Sequence, residues 1–92
     1  MKDLKTIREE INGIDVQMAR LFEQRMNLSR EVAAWKAGNG LPVFDPEREA
    51  RILEANTEHI SDPALREYYA SFLQRILDLS KDCQNNVIER MK

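Results

Sequence analysis

From Leu4 to Trp35 the chain repeats one pattern. Leu4, Ile7, Ile11, Ile14, Met18, Leu21, Arg25, Leu28, Val32 and Trp35 follow one another at steps of three and four, and nine of these ten positions are apolar. Steps of that size return each side chain to one face of an α-helix, so residues 4–37 read as one long helix with a packing seam. Gly38 and Gly40 end it. Gly13 lies off the seam and costs about 1 kcal/mol. Such a helix spans roughly 50 Å at about 1.5 Å per residue. A compact monomer of 92 residues has a radius of gyration near ~12 Å and a diameter of about 30 Å. The helix therefore overhangs any monomeric core by several turns, and its seam stays apolar along the overhang. A partner chain that covers the overhang is the expected remedy, and the pattern predicts an intertwined homodimer.

The remainder also reads as helical. Three glycines and three prolines leave few breakers in a chain rich in Leu, Ile, Glu, Arg and Lys. Asp45 and Pro46 suit the cap and first position of a second helix, with Ile52 and Leu53 on its apolar face and an end near His59. Ser61 or Asp62 with Pro63 opens a third helix that runs to about Arg90. Between Tyr68 and Leu79 that helix is apolar nearly all round, which predicts burial against more than one neighbour. The fold class is all-α, with three helices in a single domain, 1–92.

The bulk properties exclude several classes. A net charge of -2 makes no basic field for nucleic acid. No apolar run approaches the roughly 20 residues of a membrane span, and "MKDLKTIREE" carries no signal core. The single Cys83 rules out an internal disulfide and fits a reducing compartment. A soluble cytoplasmic protein is the expectation. His59 has no metal-ligand neighbours, so no metal is expected.

Against this background four polar features stand where apolar ones belong. Arg25 interrupts the seam; it either snorkels outward, pairs across chains, or faces an anion. Lys36 lies eleven residues on, within about 20° of the same face; it either steadies the helix end or joins Arg25 in gripping an anion. Arg48 opposes the helix dipole where a capping-box acid belongs, and it shares an inward face with Asp45, Glu49 and Ile52. Arg48 and Glu49 are either a surface pair or part of a site. Ser80 and Gln84 extend the stripe of Leu73 and Leu77, either as a hydrogen-bonded pair at a seam or as ligand contacts. Taken together the groups suit a small dianion bearing hydroxyl or ether oxygens.

Four segments resemble, in order and nearly along the whole chain, the motifs of the all-helical chorismate mutases: "IREEINGID" with Arg8, "QRMNLSREVAAWK" with Arg25 and Lys36, "PVFDPERE" with Asp45, Arg48 and Glu49, and "LSKDCQ" with Ser80 and Gln84. The resemblance implies intertwined dimers with two active sites and conversion of chorismate to prephenate, on the way to phenylalanine and tyrosine, without a cofactor. It implies that Lys36 and Gln84 serve the ether oxygen and that Arg25 and Lys36 bind carboxylate. It also implies that Glu49 holds the ring hydroxyl, that Asp45 and Arg48 support, and that Ser80 contacts the ring end. Arg8 stands roughly 25 Å from Arg25 along one helix, so if both touch one ligand, Arg8 comes from the other chain. At 92 residues, no fused dehydrogenase, dehydratase or regulatory domain is expected. Isochorismate pyruvate lyases share the cationic clamp, but their pattern lacks the acid matching Glu49. A non-catalytic helical dimerisation module would explain the seam but not the polar groups.

Overall fold

The structure is a computed structural model that describes all residues 1–92. It contains three α-helices and no strand: α1 (Leu4–Gly38), α2 (Pro46–Thr57) and α3 (Arg66–Met91), with one 3-10 turn, Pro63–Leu65, before α3. Each helix start follows from a short acid. The Asp3 carboxylate accepts the Thr6 N–H at 2.8 Å, a bond that holds its carboxyl below the ordinary value. Asp45 accepts the Arg48 N–H at 3.1 Å with Pro46 behind it. Asp62 accepts the Ala64 N–H at 2.9 Å. The third start differs from expectation in one respect. Asp62 and Pro63 begin a 3-10 turn, and the α-helix proper begins at Arg66.

α1 ends in a Schellman motif. The Leu41 N–H reaches the Lys36 carbonyl at 2.9 Å and the Gly40 N–H the Ala37 carbonyl at 3.5 Å. The motif needs a left-handed residue between them, and Gly40 supplies it with φ 65. This turn sends the chain back so that α2 and α3 lie alongside the second half of α1.

α3 is the centre of the packing. α1 and α2 both lie against it and not against each other. The buried apolar residues are Met26 and the fully buried Ala33 on α1 and Leu73 and Leu77 on α3, the two helices that pack most extensively. The stripe that α1 buries in its own chain (Met26, Ser29, Ala33) is turned by one residue from the long seam. Seam residues such as Ile7, Leu21, Leu28 and Trp35 remain 39–62 % exposed. Tyr68 and Phe72 of α3 are exposed as well. The result is a thin, extended chain measuring 56 × 25 × 14 Å with a radius of gyration of 16.6 Å, well above the value of about 12 Å for a compact domain of this length. Only 7 of 92 residues are buried, too few to make a core that stands alone. No helix is long and apolar enough to cross a membrane.

Candidate active site

The backbones of α1 and α2 do not approach closely, and a gap opens between them over α3. It is a cavity of about 270 Å³. Arg25 and Lys36 reach it from α1, Asp45, Arg48 and Glu49 from the start of α2, and Ser80 and Gln84 from α3. Seven of the eight residues singled out in the sequence thus line one cavity. Arg8 is the exception. It does not line this cavity, and 17 residues of helix separate it from Arg25, roughly 25 Å.

The lining is charged in an unequal way. Arg25, Lys36, Arg48 and Lys81 bring four positive charges against the two carboxylates of Asp45 and Glu49, a net of +2. Leu28, Val32, Val43, Ile52 and Leu77 supply the apolar part of the lining.

Several of the polar groups are held by their neighbours. Lys36 Nζ donates to the Val43 carbonyl at 3.0 Å. An ammonium has three N–H donors, so two stay available to a ligand while the third holds the lysine in place and pins the loop between α1 and α2. The hydroxyls of Ser29 and Ser80 are hydrogen-bonded at 2.6 Å in a buried position, joining α1 to α3 beneath the cavity. Gln84 donates its Nε2 to Ser80 Oγ at 3.4 Å, while its Oε1 is buried without a partner. An unpaired buried carbonyl is costly, so this amide is weakly engaged for a residue so enclosed. Glu49 receives Lys81 Nζ at 3.3 Å on Oε1 and 3.2 Å on Oε2. Burial pushes the Lys81 ammonium toward neutrality, but hydrogen bonding and charge from Glu49, with Asp78 added, outweigh it and hold its pKa above the ordinary 10.5. It is therefore charged at neutral pH.

Two polar lining residues, Ser29 and Lys81, are not among those singled out in the sequence. Ser29 had a readable signal: Arg25, Ser29, Val32 and Lys36 share one helical face. Lys81 had none, since it follows Ser80 directly and its partner Glu49 lies 32 residues away in the chain.

The cavity thus combines cations, neutral donors and two carboxylates. A family model described as chorismate mutase type II matches residues 7–85. The T-protein of Haemophilus influenzae is 35% identical over 79 residues, covering 80% of this chain and 21% of that protein. The chorismate mutase of Methanocaldococcus jannaschii is 37% identical over 54 residues, covering 59% of this chain and 54% of that one. The chain thus spans about a fifth of the first relative and about half of the second. Among solved structures, chorismate mutase (Form II) from Thermus thermophilus superposes with a TM-score of 0.86 at 25% identity, covering 91% of this chain and 96% of that one. The matched span takes in Arg8 and every residue that lines the cavity, and the chain belongs to the chorismate mutase type II family.

Proposed function

We propose that this chain converts chorismate to prephenate, as a single all-helical domain working in a homodimer in the cytoplasm and serving aromatic amino acid synthesis. The observation that carries the reading is the convergence of Arg25, Lys36, Asp45, Arg48, Glu49, Ser80 and Gln84 on one cavity of net charge +2. Chorismate has two carboxylates, an ether oxygen and a ring hydroxyl, and the cavity has a complement for each.

The reaction is a rearrangement within one molecule. The ether C–O bond breaks, a C–C bond forms, and no proton has to be transferred. No side chain need act as nucleophile or base, so the protein contributes binding geometry and charge. Arg25 binds carboxylate through its planar fork, with Arg48 supporting. Holding both carboxylates fixes the side chain over the ring, which removes rotational freedom before reaction. The C–O bond lengthens ahead of C–C bond formation, so the ether oxygen gains negative charge. Donors placed at that oxygen bind the transition state more tightly than the substrate. Lys36, with two free N–H groups, and the weakly engaged amide of Gln84 take that role. Glu49 accepts the ring hydroxyl, Ser80 meets the ring end, and Asp45 holds the start of α2 in place as its cap.

Arg8 completes the site from the partner chain. The exposed seam of α1 and an apolar groove of about 640 Å³, lined by Met18, Leu21, Phe22, Tyr69, Phe72 and Ile76 among others, are the surfaces on which the partner's α1 would lie. Burying them recovers about 25 cal/mol for each Å² of apolar surface. The protein is expected to sediment as a dimer and to lose helicity on dilution. A stable, helical 10.8 kDa species in a dilution series would contradict the shared site.

The activity is tested by incubating the protein with chorismate and, separately, with isochorismate while following each by absorbance. Loss of chorismate with formation of prephenate is expected. Pyruvate release from isochorismate alone would reassign the protein as a lyase, and no turnover of either would leave a non-catalytic module.

A further inference from the structure

Glu49 poses a problem of sign. A carboxylate inside a cavity for a dianion repels its own ligand. Asp45 is compensated locally, because its carboxylate caps α2 at the Arg48 N–H. Glu49 has no such backbone partner, and its counterpart is Lys81. The ammonium bridges both carboxylate oxygens, at 3.3 and 3.2 Å. It is held from two further sides, by Asp78 Oδ1 at 3.5 Å and by the Phe44 ring, whose centroid is 4.5 Å away. Lys81 comes from α3, Glu49 from α2 and Phe44 from the loop before α2, so this one cation joins three parts of the cavity wall. The Lys81 and Glu49 side chains are 26% and 17% exposed, so water screens this pair less than it screens a surface pair.

We propose that Lys81 is a positioning residue: it aims the Glu49 carboxylate and cancels its charge, so that the cavity keeps an acceptor for a ring hydroxyl and still accepts a dianion. The inference rests on the reaction proposed above. A carboxylate offers about four acceptor sites, and the bridging ammonium leaves others open for a hydroxyl. Lys81 remains protonated across the neutral range, as its raised pKa requires. Without it the cavity's net charge drops by one and Glu49 is free to turn away from Lys81's position, so substrate binding suffers before the chemical step does.

The test is a double-mutant cycle on steady-state kinetics with chorismate, with helicity and Tm read for each variant. Lys81→Met is expected to raise KM about tenfold and to change kcat less than about threefold. Lys81→Arg, which keeps the charge, should restore KM to within about threefold of wild type. In a Glu49→Gln background the further change Lys81→Met should alter KM by less than about threefold, because the lysine no longer has a carboxylate to hold. Lys81→Gln, a neutral donor of similar shape, replaces Lys81→Met in the cycle if the methionine variant does not fold. Equal effects of the Lys81 substitution with and without Glu49, or a fall in kcat at unchanged KM, would overturn the role. A wild-type protein that leaves chorismate untouched overturns the proposed reaction and this inference with it. Turnover by wild type with an additive cycle overturns this inference alone.

Discussion

Lys36→Met is expected to lower kcat by about a hundredfold or more, with a smaller change in KM. Methionine matches the length of the lysine stem but supplies neither charge nor donor. If Lys36 serves the ether oxygen, the interaction lost is one that strengthens as the C–O bond lengthens, and such losses fall on kcat. The Val43 carbonyl also loses its donor. A hydrogen bond from a charged group contributes about 1.5–3 kcal/mol, so some destabilisation of the loop between α1 and α2 will accompany the kinetic effect, and Tm must be read beside the rates. A folded variant with near-normal kcat and only a raised KM would show that Lys36 binds substrate without acting on the transition state.

Arg8→Ala and Arg25→Ala homodimers should each be nearly inactive, and a mixture of the two should recover. Refolded together, the chains would form heterodimers in which one site keeps both arginines and the other loses both. Activity approaching half of wild type per heterodimer is the expected result, measured after the heterodimer fraction is quantified by mass spectrometry of chains differing in mass. The expectation joins the role that the family resemblance implies for Arg8 to a distance. Roughly 25 Å of helix separates the two residues, and Arg25 lines the cavity while Arg8 does not. A verified heterodimer that stays inactive would place Arg8 outside the site or show both arginines acting within one chain.

Much of this was legible because single residues broke strong patterns. Arg25 stood out only because nine apolar neighbours defined the seam around it, and Arg48 only because a cap rule calls for an acid there. Capping chemistry also located the start of α2, since Asp45 and Pro46 leave the backbone little choice. The stripe that α1 buries in its own chain was not legible. Met26, Ser29 and Ala33 include one large apolar residue, and their value lies in letting α3 approach closely at Ala33, a property of two helices together. Lys81 was hidden for a related reason. A lysine beside a serine on an amphipathic helix looks like any solvated cation until tertiary packing brings Glu49 and Phe44 to it.

The thickness of 14 Å has a consequence for how the protein folds. Packed helix axes lie about 8–10 Å apart, so along its thinnest axis the chain is no more than two helices deep. A slab of that depth buries only four apolar residues, Met26, Ala33, Leu73 and Leu77, and the contacts that reward helix formation along the overhang of α1 are absent until a second slab arrives. In the proposed dimer, chain encounter is then part of the folding reaction itself rather than a later docking of finished parts. Its rate would depend on protein concentration, unlike the concentration-independent collapse of a small single-chain bundle.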